Sequence, residues 1–205
     1  MSAPVRIGLD FDNTIAIYDR VFHRHAQELG MPADVPATKH AVRAWFWSQP
    51  DGNTPWTELQ GLVYGTKLLE AELGPGLEAF LRACQERGVA VSVISHKTQF
   101  PALGPKHDLR QAAREFLAAR GIVGELGVDP ARVFFNDTRA EKVARVASEG
   151  CAAFVDDLPG VFTEPGFPTA AQRLLLDRGG EVEDVPPGVV PCRDFQAVAA
   201  AIWGD

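Results

Sequence analysis

The stretch VRIGLDFDNTIAIYD, residues 5 to 19, decides how this chain is read. Val5, Ile7 and Leu9 make a short apolar run with few charges, the pattern of a buried strand, and the run stops at Asp10. Asp12 follows with a single residue between. Two carboxylates at a strand end repel each other, a cost that a plain turn built from Asn or Gly avoids. The pair therefore predicts a positive partner between Asp10 and Asp12.

The same pattern of a short apolar run with a polar end recurs along the chain. GVAVSVIS, residues 88 to 95, follows a helix-stopping glycine; RVFFND (132 to 137) and AAFVDD (152 to 157) repeat it, and RLLLD (173 to 177) offers a fifth strand. The first four end in Asp, Ser or Asn. Between them lie helical periods: Leu77, Phe80, Leu81 and Cys84 on one face before Gly88, then Leu109, Ala112, Ala113, Phe116 and Leu117 before Gly121. A third helix opens at Thr138, where Thr138 and Glu141 have capping-box spacing, and stops at Gly150. Strands alternating with helices predict an α/β fold, a mostly parallel sheet with helices on both faces. Ligands bind beyond the carboxyl ends of such strands, so the polar strand endings are expected to face one crevice.

Residues 16 to 73 break the alternation. RVFHRHAQELG, TKHAVRAWFW and TPWTELQGLVYGTKLLEAELG read as helices with no strand between them, the last with Thr54 as N-cap and Pro55 in its first turn. The expectation is a small helical cap at 16–73, a lid over the crevice, inserted into a catalytic core made of 1–15 and 74–205. Trp45, Phe46, Trp47 and Trp56 are expected to form the cap's own core rather than line a substrate pocket. His23 and His25 are spaced onto different sides of a helix and are expected to be exposed rather than to bind a metal. The tract GGEVEDVPPGVVPCRD, residues 179 to 194, reads as a surface connection.

Composition narrows the function. The chain of 205 residues carries a formal charge of −7, which argues against a nucleic-acid polymer as partner while leaving room for a small anion at a locally positive site. No leader pattern and no apolar run long enough to cross a bilayer is read, so no membrane partner is expected and a cytoplasmic location is the default. Cys84, Cys151 and Cys192 are odd in number and lack zinc spacing, and are read as reduced and packed. Oligomeric state is not legible.

Asp10, Asp12, Ser95, Lys142, Asp156 and Asp157 all fall at strand ends or the start of the helix beyond one. Clustered carboxylates stay ionised only with a cation, and hard oxygen ligands suit Mg²⁺. A carboxylate can also attack phosphorus while a neighbouring acid protonates the leaving oxygen. Lys142 stands in the first turn of its helix, where a cation opposes the helix dipole. Neutralising phosphate oxygens would give that placement a purpose.

At these residues the chain resembles the haloacid dehalogenase (HAD) superfamily, and specifically its phosphatase branch. LDFDNT is similar to the first motif of that superfamily, VSVIS to the second, Lys142 to the third and FVDD to the fourth, in family order. The resemblance implies a Rossmann-like core, Mg²⁺ dependence, an aspartyl-phosphate intermediate and a mobile cap after the first motif that helps choose substrate. It implies that Asp10 is nucleophile and metal ligand, and that Asp12 is general acid and base with its carbonyl facing the metal. Ser95 and Lys142 would hold the phosphoryl group, and Asp157, supported by Asp156, would complete the metal site. Asp12 argues against dehalogenation, since that branch lacks the second aspartate. The loop HKTQFPALGPKHDLR, residues 96 to 110, offers His96, Lys97 and Lys106 toward phosphate or substrate, Lys97 competing with Lys142. Asn136 and Asp137 end a strand nearby, Asp137 reading equally as a turn residue. The implied activity is hydrolysis of a small phosphorylated metabolite. A phosphotransferase or mutase would use the same residues, and a non-catalytic domain would keep the pocket for Mg²⁺ and a phosphorylated ligand.

Overall fold

The computed structural model describes residues 5 to 204. The chain divides into two compact units: residues 1–16, 73–97 and 120–205 form the first, and 17–72 with 98–119 the second.

The first unit is built on β1 (Arg6–Leu9), and the chain passes through the short β2 (Ala16–Ile17) and β3 (Glu72–Leu73) as it leaves for the second unit and returns. It continues with helix α4 (Leu77–Glu86) and β4 (Ala90–His96); helix α5 (Leu109–Ala119) belongs to the second unit. Then come β5 (Val133–Asn136), α6 (Arg139–Ser148), β6 (Ala153–Asp156), α7 (Pro159–Phe162), β7 (Gln172–Leu176), β8 (Val189–Cys192) and α8 (Phe195–Trp203). Six strands run parallel in the order β5-β4-β1-β6-β7-β8, an α/β, Rossmann-like sheet with helices on both faces. The five strands expected from sequence are all present. The sixth, β8, lies inside the tract read as a surface connection. Gly188 and Pro191 hid it, because proline is tolerated only where a ladder has a free edge, and β8 is an edge strand.

Side-chain alternation divides the sheet between its layers. Ile94, Phe154 and Leu175 face α6 and α7 in a cluster with Val143, Val146, Val161 and Phe162. On α4, Leu77, Phe80, Leu81 and Cys84 are buried as the period predicts, with Phe80 against Phe195 of α8 at a centroid distance of 5.3 Å. Gly8 sits between these layers for a packing reason: a Cβ there would lie 2.6 Å from the ring of Phe154. The capping box opens α6 as expected, with Thr138 accepting from the Glu141 N–H and Glu141 reaching back to the cap backbone.

The second unit holds α1 (Asp19–Glu28), α2 (Lys39–Ser48), α3 (Asn53–Tyr64) and α5. Its centre is aromatic. Phe22 packs on Trp56 at 5.1 Å and Tyr64 at 5.5 Å, and Phe46 on Trp56 at 6.1 Å. Phe46 and Trp56 are core residues as expected; Trp45 is half-buried, and Trp47 is exposed with the Arg43 guanidinium over its ring. Two expectations need correction. His25 is buried and His23 half-buried rather than exposed: His25 has Glu28, one turn on in the same helix, at 2.8 Å on Nδ1, and at 3.1 Å on Nε2 it has Glu70, whose approach no helical spacing reveals. Helix α3 begins at Asn53 with Gly52 as its cap, not at Thr54. Gly52 is needed where a side chain would run into the carbonyl oxygen of Phe46. Among the described residues no helix is long and apolar enough to cross a membrane.

Candidate functional site

Two neighbouring strands of the first unit, β1 and β6, carry the acidic residues. Strand β1 lies between β4 and β6, so its end is flanked by theirs, and the Asp10 N–H continues the ladder by donating to Val155 O at 2.9 Å. Asp156, paired in register with Leu175, follows Phe154 on the α6 side of the sheet. Lys142 reaches both from the first turns of α6. Its Nζ donates to Asp10 Oδ1 at 2.6 Å and stands 2.5 Å from Asp156 Oδ2. All three residues are buried.

The electrostatics follow from that burial. Desolvation pushes the Asp10 carboxyl up to about 7; Asp156 and Asp12 add to the rise, and Lys142 opposes it. Burial works against the charge on Lys142 as well, yet Asp10 and Asp156 together outweigh it and hold the ammonium above the ordinary lysine range. The first unit thus concentrates two carboxylates and a cation where water cannot stabilise them.

Asp12 lies in the tight turn that follows, where Ile15 and Ala16 both donate to Phe11 O. Its carboxylate meets Lys97, whose Nζ lies 2.9 Å from Oδ1 and 3.0 Å from Oδ2. Lys97 extends the line of β4: its N–H donates to Asn136 O at 3.0 Å, and its side chain is buried. Ser95 is buried near the end of β4, where its carbonyl accepts from Asn136 Nδ2 at 3.0 Å. His96 and Asp137 are exposed. Lys106 belongs to the second unit, on the rim of a cavity of about 350 Å³ that includes His107 and Gln111.

Asp10, Asp156 and the half-buried Asp157 offer carboxylate oxygens that lie within 4.8 Å of one another. An all-oxygen, anionic donor set of this kind fits Mg²⁺. Two residues not singled out from the sequence complete the surroundings. Asn13 adopts φ 56°, the left-handed region that Asn tolerates, and its Nδ2 donates to Asp157 Oδ2 at 3.3 Å. Its Oδ1 and the Oγ1 of the fully buried Thr14 have no hydrogen-bond partner among the described residues. Their place in DFDNT was visible, but only the turn conformation shows where they point.

No family model matches the chain, and no curated protein matches it. Solved structures do. YfnB of Bacillus subtilis, described as a HAD-hydrolase bound to magnesium, superposes with TM-score 0.62 at 11% identity, over 98% of this chain and 100% of that one. A HAD-superfamily hydrolase of subfamily IA from Geobacter sulfurreducens gives 0.57 at 12% identity, over 97% and 96%. A HAD-superfamily hydrolase from Ehrlichia chaffeensis gives 0.55 at 13%, over 98% and 97%. A protein described as a dehalogenase gives 0.56 at 12%, over 98% of each chain. The chain has the fold of the HAD-superfamily hydrolases.

Proposed function

We propose that the protein is a Mg²⁺-dependent phosphatase that hydrolyses a small phosphorylated metabolite through an aspartyl-phosphate intermediate. The observation that carries this reading is the pairing of two differently placed aspartates on one turn. Asp10 is buried against Lys142, and Asp12 is held separately by Lys97. Two carboxylates in different surroundings suit two different tasks.

In this reading Asp10 attacks phosphorus, forming an Asp10 O–P bond as the bond to the leaving oxygen breaks. Asp12 gives that oxygen a proton. It then takes a proton from water, which attacks phosphorus, frees the Asp10 carboxylate and releases inorganic phosphate. Lys142 and Ser95 hold the phosphoryl oxygens. Asp10, Asp156 and Asp157, with the carbonyl of Asp12, would hold Mg²⁺. When bound, the ion offsets the repulsion between these carboxylates and the phosphate oxygens. Substrate choice is assigned to the helical unit.

The dehalogenase among the structural neighbours defines the competing chemistry. Asp12 favours phosphate: displacement of halide needs no proton on the leaving group, whereas an alkoxide leaves poorly without one. Release of phosphate from an aryl phosphate and a metabolite panel, with and without Mg²⁺, tests the reading beside release of halide from short 2-haloacids. Metal-dependent phosphate release that is lost in Asp10→Asn is the expected result; halide release without phosphate release would overturn it.

A further inference from the structure

We infer that Lys97 is a positioning residue for Asp12, and that it acts through this carboxylate rather than as a ligand of the phosphoryl group. The inference rests on the phosphatase reading for the task it gives Asp12, though not for the contact itself.

Lys97 contacts both carboxylate oxygens of Asp12, at 2.9 and 3.0 Å, a symmetric placement that centres the ammonium on the carboxylate and fixes its distance. The lysine side chain is 3% exposed and that of Asp12 23%, so the pair is largely out of water and much less screened than a surface contact. Each partner is anchored separately. Asp12 is bound into the 11–16 turn, and the backbone of Lys97 is tied to Asn136 of the neighbouring strand. The Phe11 ring lies under the ammonium at 5.2 Å and is itself wedged edge-on against Phe135 at 6.1 Å. A lysine whose ammonium is held over a packed aromatic ring has few rotamers left. Meanwhile Lys142, directed at Asp10 and Asp156, already brings a cation to the attacking carboxylate. Of the two buried lysines, Lys142 thus meets Asp10 and Asp156 and Lys97 meets Asp12.

A general acid contributes only when its oxygen is aimed at the leaving atom, and a small misplacement costs much of its effect. Lys97→Met should therefore lower kcat by about 10- to 100-fold, while the inhibition constant of inorganic phosphate stays within about twofold, since no phosphate ligand is lost. Lys97→Arg, whose guanidinium can also face both oxygens, should recover much of the loss. In an Asp12→Asn background the Lys97→Met change should cost little more, because the group it positions is gone. Phosphate affinity weakened tenfold or more in Lys97→Met, or a full additional loss in the double variant, would overturn the inference.

Thermal unfolding of the native chain, Lys97→Met, Asp12→Asn and their double variant reads the contact without any turnover. The Lys97 and Asp12 substitutions should be strongly non-additive in Tm, and additivity would show that the pair is not formed. Absence of phosphatase activity in the native chain would remove the phosphatase reading while leaving this cycle to decide the contact.

Discussion

Lys142 and Asp10 are separated by 132 positions in the chain and by 2.6 Å in space, and the same ammonium meets Asp156 at 2.5 Å. One cation thereby joins two strands and a helix that the sequence keeps far apart. It also makes the burial of two neighbouring carboxylates tolerable.

Removing that cation should be expensive. Lys142→Met leaves Asp10 and Asp156 facing each other without a counter-charge, and loss of one partner of a buried pair costs about 3–5 kcal/mol. Urea unfolding at neutral pH in the presence of a chelator should show this loss. Mg²⁺ should restore part of it if the same carboxylates bind the ion.

Asp10 should make the metal-free protein less stable as pH rises. Its carboxyl is pushed up to about 7 in the folded state from an ordinary 3.8, so between these values the folded chain holds a proton that the unfolded chain has released. Stability from this group is full below about pH 4 and declines through pH 7, by on the order of a few kcal/mol. Asp10→Asn removes the slope. In chelator, the variant should therefore gain on the native protein from pH 5 to pH 8, with the difference in urea midpoints as the readout, even as phosphate release is abolished.

Magnesium should oppose this trend. Bound to the folded state alone, it should raise Tm with concentration, and more at pH 8 than at pH 5, where Asp10 holds its proton. Asp157→Asn should weaken Mg²⁺ binding by about tenfold or more in a calorimetric titration, with little change in the Tm of the metal-free protein, because Asp157 is only half-buried.

The helical unit supplies a stability contrast within one residue type. Trp56→Ala empties the middle of the aromatic cluster around Phe22 and Phe46 and should cost about 3–5 kcal/mol. Trp47, on α2 and 57% exposed, should be replaceable by Ala within about 0.5 kcal/mol.

What the sequence made legible was whatever local period and spacing encode. The apolar run before Asp10, the stripe of Leu77, Phe80, Leu81 and Cys84 and the Thr138–Glu141 box each stand as read. Where a contact depends on residues far away, the sequence was silent. Leu109 to Leu117 show an apolar stripe and not the helices that cover it. His25 shows its helical phase and not Glu70, and Val189 to Cys192 form a strand in spite of Pro191 because an edge asks less of its backbone. At the candidate site the aspartates, Ser95 and both lysines could be named, but which lysine faces which aspartate depends on the strand order and on where α6 packs.

The buried cysteines and the tryptophans give the protein two built-in reporters of opening. Burial pushes the thiols of Cys84 and Cys151 up to about 12 and that of Cys192 up as well, so none is a thiolate at neutral pH and none reacts until its surroundings part. All three lie in the sheet unit, whereas Trp45, Trp47 and Trp56, three of the chain's four tryptophans, lie in the helical unit. Labelling of thiols therefore follows the sheet unit alone, whereas tryptophan fluorescence follows mainly the helical unit, Trp203 of α8 being the exception. Coincident transitions would mean that the halves melt as one, and separated transitions would give each its own melting point without a single substitution.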